Sequence, residues 1–151
     1  MVLEGTKKLV ILVLGLAGGY LTTDTRFQKL AFLVNQEVFN LAKFEPNDYG
    51  PYSKELMRAV DELEKEGKLV YKWDSDGVSR YYLTEKGKEE FQQMLNQFGK
   101  EKVDKAKEII QEHKDDPLSY LIAYVYKKYP EYAKNSKIKD KVEEWIRYYH
   151  L

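Results

Sequence analysis

The chain has 151 residues and no cysteine, and its 25 basic residues balance its 25 acidic ones. That length suits one domain able to bury a core without staples. The missing cysteine excludes disulfides, thiolate metal sites and a thiol nucleophile, and it fits a reducing, cytoplasmic setting. Zero formal charge with 33% of residues charged describes a surface laced with ion pairs, of the kind thermophiles favour, and withholds the basic domain that nucleic-acid binders usually carry.

Lys7-Lys8 followed by an apolar run over residues 9–17 imitates a secretory leader. The run is shorter than the roughly 20 residues that span a bilayer. It is read instead as a first helix buried in the core, stopped by Gly18-Gly19. Residues 25–83 then read as a winged helix-turn-helix. Thr25 with Gln28 three positions on forms a capping box, and Phe27, Leu30, Val34, Val38 and Leu41 make one apolar stripe. Asn47-Asp48-Tyr49-Gly50-Pro51-Tyr52-Ser53 marks a tight turn, with Ser53 as the cap of a second helix over residues 54–66. That helix carries Leu56, Val60 and Leu63 on one face, and Gly67 supplies its left-handed stop. Residues 69–73 and 78–83 are β-branched and aromatic around Asp74-Ser75-Asp76-Gly77, a hairpin that would form the wing.

Four further helices follow. One runs from the Thr84 cap to Gly99, with Phe91, Met94, Leu95 and Phe98 on one side. The next spans residues 100–113. A third starts at Asp115-Asp116-Pro117 with a Leu118, Leu121, Ile122 and Val125 stripe, and Tyr129-Pro130 closes it. The last begins near Ser136, with Ile138, Val142, Trp145, Ile146 and Tyr149 aligned. No linker or repeat interrupts the chain. The fold class expected is therefore mainly α with a small β-hairpin (α+β), in one domain: an apolar helix over residues 1–24, a winged core over 25–88 and a helical extension over 89–151.

Thr25-Arg26-Phe27-Gln28-Lys29-Leu30-Ala31-Phe32-Leu33, Tyr49-Gly50-Pro51-Tyr52-Ser53 and Tyr82-Leu83-Thr84-Glu85-Lys86-Gly87, followed by Tyr124-Val125-Tyr126-Lys127-Lys128-Tyr129-Pro130-Glu131-Tyr132-Ala133 with Ser136 beyond, stand in one order along the chain. Together they resemble the YwgA-like proteins, relatives of the Panacea or SocA-like antitoxin domain. Phe27 stands where the family pattern has an aliphatic residue. The resemblance implies a winged-helix-like scaffold, no cofactor and, in the antitoxin branch, neutralisation of a partner toxin.

The residues themselves offer no phosphate loop, His-Glu-x-x-His motif or nucleophile elbow. Glu89-Glu90, Asp115-Asp116 and Glu143-Glu144 are adjacent acids whose side chains diverge on a helix, and they read as solvated charges. His113 and His150 read as solvated helix-end residues, so no catalytic residue, metal site or cofactor is expected. DNA binding would use Lys54 and Arg58 on the second motif helix, Arg26 and Lys29 on the first, and Lys72 and Arg80 in the wing. Across residues 25–88, however, eleven basic residues meet eleven acidic ones, a poor balance for holding phosphate. Lys134, Lys137 and Lys141 near Lys127 and Lys128 lie among acids and read as an outer face. Tyr120, Tyr124, Tyr126 and Tyr132 surround one helix, so some must face outward and offer a surface to a protein partner or a second copy of the chain. The expectation is a non-enzymatic protein acting through a protein partner, toxin-like or other, without membrane attachment; the alternative is a sequence-specific transcriptional regulator.

Overall fold

The computed structural model describes residues 2–151 and is mainly helical with two small antiparallel sheets, an α+β arrangement. Helix α1, Val2–Leu16, is the axis of the molecule. Leu9, Val10, Ile11, Leu12, Val13 and Leu14 are all fully buried. A helix apolar on every side needs neighbours on every side, and α1 has them in α2, α3, α4 and α5. Burial of each such side chain contributes about 1.5–3 kcal/mol. At Gly15 the ring of Phe91 from α4 lies so close that a Cβ would overlap it, which is why this turn lacks a side chain. The apolar run is thus a core element, and no helix among the described residues is long and apolar enough to cross a membrane.

After Gly18 and Gly19, both in the left-handed region, the chain forms β1, Tyr20–Thr22. Helix α2, Asp24–Val34, is capped by Thr23, whose side chain accepts from the Arg26 N–H. The expected Thr25–Gln28 capping box does not form. Gln28 is buried instead, donating its amide to the Ser53 carbonyl at 3.0 Å and accepting the Ser53 N–H at 2.9 Å. Nor does the stripe continue as one helix to Leu41. A π-helical turn, Asn35–Phe39, intervenes and ends at Asn40 with φ 51°. Buried Asn35 imposes that exit: its side chain accepts from the N–H groups of Leu41 and Ala42 and donates to the Ala42 carbonyl.

The segment expected to be a tight turn is a second small sheet, β2, Glu45–Asn47, against β3, Gly50–Tyr52. Gly50, at φ +94°, faces the Tyr126 ring, which a Cβ would meet at 2.7 Å. Helix α3, Lys54–Lys65, is capped by Ser53 and buries Leu56, Ala59, Val60 and Leu63. Gly67 follows at φ +76°, and the Lys68 N–H returns to the Leu63 carbonyl, closing the helix as the sequence indicates.

Strands β4, Leu69–Trp73, and β5, Ser79–Leu83, form the expected hairpin. Strand β1 joins β5, giving the order β1-β5-β4. The inner face carries Leu21, Leu69, Tyr81 and Leu83, with Phe27 stacked on Tyr81 at 4.4 Å. Helices α4, Glu85–Phe98, α5, Lys100–His113, α6, Leu118–Lys128, and α7, Lys139–Tyr148, complete the chain. Helix α7 begins three residues beyond Ser136, because the Ser136 hydroxyl is engaged with the Tyr126 hydroxyl at 2.6 Å and accepts from the Ile138 N–H. One apolar core runs continuously from Leu9 to Val125. A smaller cluster of Ile122, Ala123, Tyr126 and Val142 fastens α7 to the back of α6.

Candidate interaction surface

The cap at Ser53 decides how α3 is presented. With Gln28 holding both main-chain groups of Ser53, the first turn of α3 is anchored to α2, and Lys54 and Arg58 face solvent. Both line a cleft of about 170 Å³ with Lys43, Glu45, Tyr52 and Glu55. Lys43 pairs with Glu45 at 3.3 Å. Lys54 and Arg58 form no ion pair among the described residues.

The other cations expected at a nucleic-acid surface have different positions. Lys29 is 3% exposed and donates to the Pro51 carbonyl at 3.2 Å. Its expected phosphate contact is therefore overturned: the ammonium lies beneath β3, and burial pushes its pKa down to about 8. Arg26 directs Nη1 at the carbonyls of Lys114 and Asp116, at 3.1 and 2.6 Å, and so ties α2 to the α5–α6 connection. Arg80 lies between Asp74 at 2.6 Å and Asp76 at 2.9 Å, and those hydrogen bonds raise its already high pKa. Of the two expected cations of this hairpin, Lys72 is the exposed one, its ammonium above the Tyr82 ring at 5.9 Å from the centroid.

A carboxylate holds the sheet to α2. Asp24 accepts from the Tyr81 hydroxyl at 2.5 Å and from the Tyr71 hydroxyl at 3.1 Å. Burial first, then this carboxylate, pushes the Tyr81 phenol far above its ordinary value, and the same causes raise Tyr71 and Tyr52. Asp24, Tyr71 and Tyr81 are satisfied by one another, and among the described residues no set of three acidic or histidine side chains is arranged to hold a metal ion.

The tyrosines of α6 and of the turn that follows it are not one outward surface. Tyr126 is 6% exposed, so its assignment to a partner surface is corrected: its ring fills the space left by Gly50. Tyr132 packs edge-on against Phe32 at 4.7 Å. Tyr124 covers His113 at 4.4 Å, while Tyr120 leans on Tyr149 at 5.1 Å. His113 is likewise not solvated. It is 3% exposed, with Nδ1 2.7 Å from Asp116, which also removes Asp116 from the freely solvated acids. Glu90 leaves that group too, since it pairs with Lys68 at 3.1 Å.

Among the described residues the exposed large hydrophobic side chains are Tyr20, Tyr49, Trp73 and Tyr148. Of these, Tyr49 sits in the expected turn motif, and the other three were not among the expected surface residues. On the outer face of the β1-β5-β4 sheet, Tyr20 lies opposite Tyr82 with ring centroids 4.9 Å apart; Val70 is Tyr82's partner on the far side, and Thr22, Arg80 and Lys72 form the next row. Trp73, 65% exposed, projects from the end of β4. Alternation in Ser79-Arg80-Tyr81-Tyr82-Leu83 already assigns Tyr82 to the face opposite Tyr81, but Tyr20 lacked a context until β1 was known. No protein-family model matches the chain, and a comparison with curated proteins finds no significant match.

Proposed function

We propose that this is a non-enzymatic, cytoplasmic binding protein built on a winged helix, antitoxin-like or regulatory, that acts by engaging a protein partner. The element order α1-β1-α2-β2-β3-α3-β4-β5, with sheet order β1-β5-β4, supports the winged-helix reading, in which α3 is the second motif helix, β4–β5 the wing, and the β2–β3 sheet stands between the two motif helices. The resemblance to YwgA-like and Panacea-type proteins points to the same scaffold and to a protein partner. The observation that carries the functional reading is the fate of the cations. Lys29 is buried, Arg26 serves main-chain carbonyls and Arg80 is neutralised by two carboxylates, so half of the expected phosphate contacts are spent inside the molecule. In their place the sheet offers Tyr20, Tyr82 and the nearby Trp73, side chains of the type that dominate protein interfaces.

Photo-crosslinking from position 20, with position 144 on the exposed side of α7 as control, tests this. A discrete protein adduct from position 20, lost on Tyr82→Asp, is the expected outcome; adducts only to nucleic acid would refute it. One observation favours the second reading, a DNA-binding regulator: Lys54 and Arg58 are exposed, without an ion pair among the described residues, and one helical turn apart at the start of α3. Under that reading, Lys54→Ala with Arg58→Ala abolishes sequence-specific retention of duplex DNA and flattens its dependence on salt.

A further inference from the structure

The two edges of the β1-β5-β4 sheet are not equivalent. The bonds Thr23 N–H to Ser79 O and Leu83 N–H to Gly19 O fix the pairs that exchange main-chain hydrogen bonds between β1 and β5. By the alternation of an antiparallel ladder, Leu21 and Tyr81 also bond, while the N–H and C=O groups of Tyr20 and Thr22 point away from β5. The same logic turns the main-chain groups of Leu69, Tyr71 and Trp73 outward on β4. On that side the Glu64 carboxylate accepts the Tyr71 N–H at 3.3 Å, a charged side chain blocking the middle of the edge. Among the described residues no side chain guards the β1 edge in this way. That edge opens into a cleft of about 460 Å³ between β1 and the α5–α6 connection, lined by Gly18, Tyr20, Thr22, Arg26, Lys114 and Asp115, among others.

We propose that the β1 edge takes up an extended, acidic peptide segment of a partner protein as a fourth strand beside β1. The occupant's backbone follows from the unpaired groups of Tyr20 and Thr22, which a strand laid in the cleft would satisfy in both directions. Its charge follows from the far wall, where Lys114, which has no ion pair among the described residues, lines the cleft beside Asp115, and Arg26, though its Nη1 is held by the Lys114 and Asp116 carbonyls, keeps its positive charge at the same wall. The entrance beside Gly18 is open, with nothing within 4 Å of where a Cβ would stand. Alternate side chains of the added strand would fall beside Tyr20 on the outer face, joining the edge to the aromatic surface.

This inference rests on the protein-partner reading and names the partner's recognised segment, so its test uses a defined probe rather than a captured protein. The probe is the capped pentapeptide Val-Asp-Val-Asp-Val, titrated into the isotope-labelled full chain. The amides of Tyr20 and Thr22 should shift and gain exchange protection, and a version N-methylated at both aspartates should not bind. Thr22→Pro removes an outward N–H without touching the internal ladder and should abolish binding. Lys114→Glu should weaken binding at least threefold, and Val-Lys-Val-Lys-Val should bind at least threefold more weakly than the aspartate peptide. No shift at about 1 mM peptide, the weak end of specific recognition, would overturn the inference, as would shifts confined to α3 or equal binding to Thr22→Pro. Failure here with a crosslinked protein still obtained from position 20 removes the edge and leaves the partner reading standing.

Discussion

Lys29→Met replaces a buried cation with an apolar side chain of similar length, and its effect on stability follows from the linkage between ionisation and folding. In the folded chain the Lys29 ammonium is pushed down from 10.5 to about 8 by burial. Below pH 8 the lysine is charged in both states, and the folded state carries the full penalty, about 2.5 pKa steps at about 1.4 kcal/mol each, or about 3 kcal/mol. As pH rises from 8 to 10.5 the folded side chain is already neutral while the unfolded one still releases its proton, so the native protein recovers that stability. Methionine removes the penalty at every pH and forfeits the bond to the Pro51 carbonyl, about 1 kcal/mol. The variant should therefore be more stable than the native chain by about 2 kcal/mol at pH 7, with the advantage fading to nearly nothing at about pH 10. Urea unfolding at both pH values measures this. A variant less stable at pH 7, or an advantage equal at the two pH values, would refute the reasoning.

Gln28→Leu leaves the buried N–H and C=O of Ser53 without partners and should cost about 2–4 kcal/mol, read as a fall in the urea midpoint; a loss below about 1 kcal/mol would mean those groups find other partners. Gly50→Ala sets a Cβ against Tyr126 at a positive φ and should destabilise by at least about 1 kcal/mol. Adding Tyr126→Leu should recover the steric part in a double-mutant cycle and leave the backbone part. Tyr81 keeps its proton in the folded state well above pH 10 while the unfolded chain loses it near there, so native stability should fall as pH climbs past 10. Tyr81→Phe should show a shallower alkaline decline in thermal melts, and an identical slope would contradict the Asp24–Tyr81 arrangement.

Much of the α+β fold was legible because its elements announce themselves locally. The Ser53 and Thr84 caps, the stops at Gly67 and Gly99, and the turn at residues 74–77 lie where the sequence places them, since each depends on one or two residues whose side chains or φ angles decide the local geometry. The burial of α1 was expected less from its composition, which also suits a leader, than from the resemblance and the Gly18-Gly19 stop. What escaped was settled at a distance. Gln28 as a capping partner is a sound local inference, yet two buried hydrogen bonds to Ser53, 25 residues away, outweigh one exposed cap. Asn35 looks like an ordinary polar position in a stripe until its side chain is seen to take over the main chain of Leu41 and Ala42. Three residues of β1 carry too little pattern to announce a strand, and without β1 neither the sheet edge nor the exposure of Tyr20 is foreseeable. The fate of the basic residues was least legible of all, because a count of charges says nothing of whether a guanidinium meets a carboxylate, a carbonyl or water.

The position of α1 at the centre of the molecule sets a timetable for biosynthesis. Its last enclosing neighbour, α5, is complete only at His113, nearly a hundred residues after α1 itself ends. At about 5–20 residues per second, the ribosome leaves this greasy segment without its companions for several seconds or more. During that interval its apolar surface stands uncovered, and the growing chain is most open to misassembly before α5 arrives.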